Sequence, residues 1–166
     1  IRRPPRSTLF PTRRSSDLIA PVPTITGATL DEDNYYIAVT FSEPVYGDAS
    51  ATTGIDKDDF IVTFAQNDGG VVSGASIRMV YNHLNATPVG GETEFKLFLK
   101  LENGPPSGAE TIAISPKANS IYGGYGRAAE ATVTTDPINL NVLDPQAFVE
   151  DYPKAGAVQP DGSKTV

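Results

Sequence analysis

The sequence predicts an all-β fold, an antiparallel sandwich of about seven to eight short strands. Three observations predict it. Apolar and polar residues alternate with a period of two, most clearly over residues 35–41 and 94–101. Turn formers are abundant, with 15 glycines and 14 prolines in 166 residues, and they cluster between the alternating stretches. No amphipathic stretch is long enough for a core helix.

Residues 24–30, Thr-Ile-Thr-Gly-Ala-Thr-Leu, read as a first strand, followed by the acidic turn Asp31-Glu32-Asp33-Asn34. The next strand, 35–41, is the strongest. Tyr35, Ile37, Val39 and Phe41 fall on one face, and Tyr36, Ala38 and Thr40 on the other. All four residues of the first face are expected in the core. Pro44 is expected to forbid a continuing central strand, so Ser42-Glu43-Pro44 reads as the turn that stops it. A small-residue loop follows over 46–54. Residues 55–59 allow one helical turn, with an aspartate near its start favouring the free N–H groups there. Residues 60–64 form a third strand with Phe60, Val62 and Phe64 inward, and Asn67-Asp68-Gly69-Gly70 is a hairpin signal.

In the fourth strand, 76–82, Ile77, Met79 and Tyr81 alternate with Ser76, Arg78 and Val80. Residues 83–93 are a polar loop. In 94–101, Phe95, Leu97, Leu99 and Leu101 share a face; a helix would gather Phe95, Phe98 and Leu99 but expel Leu97 and Leu101. Residues 102–108 break the chain with Gly104-Pro105-Pro106. Residues 110–115 give a sixth strand with Ile112 and Ile114 inward. A short Ser120-Ile121-Tyr122 segment and a glycine-rich turn follow, and 131–135 and 138–142 close the domain. These proportions are immunoglobulin-like. The domain spans residues 22–144, after a leader and linker over 1–21; residues 145–166 read as a linker and the start of a second β domain.

Composition narrows the function. Cysteine is absent, which rules out disulfides and thiolate metal sites. The net charge of −7 conceals an asymmetry: residues 1–18 hold five arginines and one acid, Asp17, leaving −11 on the remainder. An acidic body argues against nucleic acid or an anionic membrane as partner. No run approaches the ~18 apolar residues of a membrane span. Residues 1–18 have no periodicity and no apolar central region. They resemble translated sequencing-adapter read-through of the kind seen in metagenomic fragments; a basic targeting arm is the alternative.

Catalysis is not expected. His83 is the single histidine, in a loop, and no nucleophile elbow, phosphate loop or H-E-x-x-H is present. Glu43, just past the strongest strand, reads either as a buried acid at a site or, preferably, as a carboxylate accepting backbone N–H bonds in its turn. Asp56, Asp58 and Asp59 are candidate calcium ligands, because calcium takes six to eight oxygens, though solvated turns use the same residues. Asp31-Glu32-Asp33-Asn34 is a second such cluster. Tyr36, Tyr46, Tyr122 and Tyr125 would be the aromatics of a carbohydrate surface. No other cofactor is implied.

Several pieces occur together in an order that resembles bacterial Ig-like repeat domains of the SwmB-like and related type. They are Thr24-Ile25, the run from Ile37 to Val45 with its Val-Thr-Phe-Ser-Glu-Pro-Val, Asp59-Phe60-Ile61-Val62, Ile112-Ala113-Ile114-Ser115-Pro116 and Ser120-Ile121-Tyr122. Where the family often continues Asp-x-x-Gly-Asn, this chain has Gly123-Gly124-Tyr125-Gly126-Arg127, so no role of that Asp and Asn carries over. The stretches 151–154 and 161–164 are similar to openings of further repeats in S-layer-associated proteins. The resemblance implies an exported, extracellular or cell-surface bacterial protein. In it this domain is a non-catalytic spacer supporting adhesion or display, next to neighbouring domains of the same chain. A ligand-binding module for a cell-wall or extracellular glycan or protein is the alternative.

Overall fold

Eight strands follow one another along residues 20–143, the part of the chain described by the computed structural model. They are β1 (Ile25–Leu30), β2 (Tyr36–Tyr46), β3 (Phe60–Ala65), β4 (Gly74–Asn82), β5 (Glu92–Glu102), β6 (Thr111–Pro116), β7 (Tyr122–Gly123) and β8 (Ile138–Asn139). One sheet has the order β1-β2-β5-β4, with β7 attached to the far end of β2; the other is β3-β6-β8. All pairs are antiparallel. The all-β sandwich expected from the alternation is therefore present. Residues 1–19 of the expected leader, and the expected second domain over 145–166, lie outside the described residues.

The core lies between the sheets. Ile37, Val39, Phe41 and Val45 of β2 meet Phe95, Leu97 and Leu99 of β5 on one side and Ile112 and Ile114 of β6 on the other, all buried. Phe41 stands edge-on to Phe95 at 5.9 Å between ring centres and reaches Phe60 of the opposite sheet at 6.4 Å. Such aromatic pairs add to the stabilisation from buried area alone.

Six expectations need correction. β2 does not stop at Pro44 but runs on to Tyr46. Between the pairs Thr40↔Glu94 and Val45↔Glu92 the register slips, and β2 bulges. Pro44 lies inside that bulge, where its missing N–H leaves no ladder bond unmade. Past the bulge β2 takes a second partner, β7. Tyr35 is 64% exposed, not inward; it belongs to the turn after Asn34, which adopts φ 59°.

The Asn67–Gly70 turn forms, with positive φ at Asn67 and Gly69, but it joins no hairpin. β3 pairs with β6 and β4 with β5, so the chain crosses between sheets there. In β4 a bulge between Ile77 and Met79 reverses the alternation. Beyond it Val80 and Asn82 are the buried residues, and Tyr81 packs edge-on against Phe98 of β5 at 5.5 Å. Residues 131–135 form no strand. Thr135 instead accepts from the Ile114 N–H through its side-chain oxygen (2.9 Å) and donates its own N–H to the Ile114 carbonyl (2.9 Å). The closing strand shrinks to Ile138–Asn139, because Pro137 cannot donate to the ladder.

The chain is pinned where it comes into the sandwich and where it leaves. Pro23 is fully buried. Thr24 and Ser42 exchange two bonds: the Thr24 N–H donates to Ser42 Oγ (3.0 Å) and the Ser42 N–H to the Thr24 carbonyl (2.9 Å). At the other end Asn34, 4% exposed, clasps Asn141. Its Nδ2 donates to the Asn141 carbonyl (2.9 Å), and its Oδ1 accepts from the Asn141 N–H (2.8 Å). Asn34→Gly keeps the positive φ and removes only the clasp. It is expected to leave the melting temperature within a few degrees and to speed proteolysis or amide exchange over residues 138–142. Unchanged exchange there would show that the clasp holds nothing.

Candidate functional site

The candidate calcium ligands are engaged with their own turn. Asp56 caps the single 3-10 turn Lys57–Asp59: its Oδ1 accepts from the Asp58 N–H at 2.7 Å, and Asp59 Oδ2 accepts from the Asp56 N–H at 2.7 Å. Asp58 pairs with Lys57 at 2.6 Å. That lysine holds the Asp58 carboxyl below its ordinary value. Burial pushes Asp59 up against the hydrogen bond it accepts. The local spacing serves a capping box. Among the described residues no group of three or more His, Asp or Glu side chains converges as a metal site would.

Glu43 sits in the β2 bulge, on the same parity as Phe41 and Val45. Its carboxyl lies against Gly123, where an added Cβ would come within 3.0 Å of it. The preferred expectation, a carboxylate accepting backbone N–H bonds, does not describe it: Oε1 is buried without a hydrogen-bond partner. The nearby amides are already spent: the Ser42 N–H goes to the Thr24 carbonyl and the Gly123 N–H to the Arg127 carbonyl, and β7 brings a glycine rather than a donor side chain against the carboxyl.

The carboxylate that does take backbone amides is Glu110, which the sequence reading passed over. It is fully buried and stands one residue before β6. Oε1 accepts from the N–H groups of Val71 (2.6 Å) and Val72 (2.9 Å), and Oε2 from Ser107 N–H (2.9 Å) and Oγ (3.0 Å). Burial, the largest influence, pushes this carboxyl up; the amides of Val72, Glu110 itself, Val71 and Ser107 outweigh it and hold it at about 2 instead of 4.5. Glu110 thereby ties the crossover from β3 to β4 to the loop before β6. The signal was an acid two residues before the apolar run Ile112-Ala113-Ile114.

Two more carboxylates order loops at the other end of β2. Asp48 accepts from the N–H groups of Ser50, Thr52 and Thr53 and from both threonine hydroxyls, at 2.6 to 3.3 Å. The Thr53 hydroxyl does most to hold its carboxyl down at about 2. Glu92 takes the N–H groups of Val89 (2.9 Å) and Gly90 (2.8 Å) in the β4–β5 connection. Asp48 and Glu92 turn to their own loops, and Glu110 joins its loop to the β3–β4 crossover, which is structural work.

The tyrosines do not form one surface. Tyr36 lies at the start of β2, with its ring 5.5 Å from Phe98 and Lys96 Nζ 5.3 Å above it. Tyr46 and Tyr122 pair across β2 and β7 at the opposite end, and Tyr125 is 76% exposed nearby in sequence. His83 is exposed in the β4–β5 connection. A separate groove of about 280 Å³ runs between β1 and residues 134–138, lined by Ile25, Ala28 and Ile138 with Thr26, Thr135 and Asp136.

No known protein family, curated protein or solved structure matches the chain. No helix among the described residues is long and apolar enough to cross a membrane.

Proposed function

We propose that this domain is a non-catalytic, in-line module of an exported bacterial surface protein, of the bacterial Ig-like kind, which holds neighbouring domains apart. The observation that carries the reading is the placement of the two pinned ends. The chain comes in beside Ser42 and leaves beside Asn34, eight residues away along the β2 region, roughly 25 Å of extended chain. A module whose ends lie at opposite poles transmits length and tension from one neighbour to the next. One whose ends lie together is an appendage.

Strand order supports the Ig-like part. Lettered A to G in chain order, with β7 left aside, the sheets read A-B-E-D and C-F-G, the order of a constant-type immunoglobulin sandwich. Glu110, at the foot of the sixth strand, ties back to Ser107, near where antibody-type domains place a tyrosine corner. The inward use of Glu110, Asp48 and Glu92 favours a spacer over a site.

Because the chain has no cysteine, Pro21→Cys with Val142→Cys gives a clean pair for spin labels. A separation of about 25–30 Å is expected; one under about 15 Å would sink the in-line reading. Function is tested by applying the full chain to glycan arrays and extracellular-matrix proteins, where saturable binding would favour the ligand-binding alternative. Melting with millimolar calcium and with chelator is expected to give coincident curves; a calcium-dependent rise would return Asp56, Asp58 and Asp59 to consideration.

A further inference from the structure

We propose that Asn103-Gly104, in the loop between β5 and β6, is a self-modification site: the Asn103 side chain deamidates through a cyclic imide, and the β3–β4 crossover is thereby loosened. The residue pair is the first reason. Asparagine is thermolabile. Its imide forms when the backbone nitrogen of the next residue reaches the side-chain carbonyl carbon, and glycine puts no side chain in the way. Asn103 is followed by glycine, and every other asparagine of the chain by a residue with a side chain. The loop supplies the rest. Asn103 and Gly104 are both exposed. They lie past the end of β5 at Glu102, and among the described residues the Gly104 N–H has no hydrogen bond to break. Both have positive φ, 64° and 124°. The imide requires the Asn103 backbone to turn out of that left-handed conformation, so the folded loop reacts more slowly than an unfolded chain.

The step needs water alone. The Gly104 amide nitrogen gives its proton to solvent base and attacks Cγ of Asn103. The Cγ–Nδ2 bond breaks, and Nδ2 takes a proton from solvent and leaves as ammonia. Water then opens the imide ring. Opening at Cγ leaves aspartate. Opening at the backbone carbonyl, the commoner course, leaves isoaspartate, whose main chain runs through the former side chain and is one carbon longer. In sum a water is taken up, an ammonia is released and a negative charge is gained.

Asn103 acts on the fold through Ser73. Its Nδ2 donates to Ser73 Oγ at 2.6 Å, and the Ser73 N–H donates to the Glu102 carbonyl at 3.0 Å. Glu110 takes the amides of Val71 and Val72. Successive residues of the crossover, 71 to 73, are thus held from the β5–β6 side. Gly104 lies so close to Val71 that an added Cβ would stand 3.0 Å from its Cγ1. Aspartate at 103 is tolerable, because the Ser73 hydroxyl can turn and donate to it. Isoaspartate is not: the extra carbon shifts Gly104 against Val71 and draws the side chain away from Ser73. The loss of ammonia is irreversible, which makes the site a one-way timer on the crossover.

The full chain, kept for several weeks in mildly alkaline buffer at body temperature, is expected to take on the mass of deamidation. Labelling by an isoaspartate methyltransferase should map to residue 103. The same chain in urea should convert severalfold faster, because its backbone is free to turn. Asn103→Gly keeps the positive φ, removes the amide and should take up no label. The converted chain should melt about 5 °C lower than the fresh one and exchange amides faster at residues 71–73. Asn103→Asp carries the charge without the longer backbone and should melt within about 2 °C of wild type. No conversion of the folded chain over that time, or conversion spread over the other asparagines, overturns the site. Conversion at 103 with unchanged melting and unchanged exchange at 71–73 overturns its hold on the crossover.

Discussion

Glu110→Gln is expected to lower the melting temperature by about 10 °C, although it changes one atom and keeps the side chain's shape. In the native fold both oxygens act only as acceptors, to three backbone N–H groups and one hydroxyl. A glutamine amide must turn its NH₂ toward one pair of donors. On the Oε1 side it would face Val71 and Val72. On the Oε2 side it would face the Ser107 N–H, which cannot rotate away, although the hydroxyl can. Hydrogen bonds to a charged partner are worth about 1.5–3 kcal/mol each, and a buried unpaired group costs about 1–3 kcal/mol. A loss of about 3 kcal/mol corresponds to roughly 10 °C in a domain of this size. Glu102→Gln, at an exposed position, should move melting by a degree or two.

The same substitution should change the response to acid. The Glu110 carboxyl is lowered from 4.5 to about 2 on folding. A carboxyl that binds its proton less readily when folded stabilises the fold above the unfolded value, and that stabilisation drains away as pH falls through the folded one. Stability of the wild type should therefore decline steadily from pH 4.5 toward 2. The slope in that window should be shallower in Glu110→Gln, because glutamine does not titrate. Equal slopes, measured by urea unfolding at half-unit intervals, would show that the amide cradle is not what depresses this group.

Val39→Asp should abolish cooperative unfolding. Val39 is 1% exposed and pairs with Ala28 of β1 and Phe95 of β5. Losing the buried valine costs about 1.5–3 kcal/mol. Placing a carboxylate there with no partner costs several more, so the sum approaches the 5–15 kcal/mol that holds a typical domain together. Ala38→Asp is the matched control. It points to the other face, opposite Lys96, where an acid gains a partner, and it should shift stability by less than about 1 kcal/mol. A native-like melt for Val39→Asp would refute the inward face of β2, the assignment on which the core rests.

How far the fold could be read from the chain depended on the range of the interactions. Period-two alternation is local, and it identified the inward residues of β5 and β6 because neither strand carries a bulge of its own. It slipped in β4 and at the end of β2, where bulges insert residues that no local pattern announces. The Asn67–Gly70 turn was legible as a reversal, since positive φ is a property of the residues themselves. Its partner choice was not, because a turn sets direction and leaves the receiving sheet open. Asp56 was read as favouring the start of a helical turn, and it caps one, an interaction that spans only three residues. Glu110 was missed because its donors at Val71 and Val72 lie nearly forty residues away.

By itself, then, the sequence determined the strand class, most of the core faces, the acidic character of the body and the absence of disulfides. Each follows from side-chain chemistry and near neighbours. Only the tertiary structure decided which strands pair, that β2 passes through Pro44 to take a second partner, that Glu110 and not Glu43 is the amide-bound acid, and that the chain comes in and leaves at opposite ends. Those are outcomes of contacts between segments far apart in the chain. They are set by which backbone donors find acceptors once the core has closed, and hydrophobic patterning alone leaves them open.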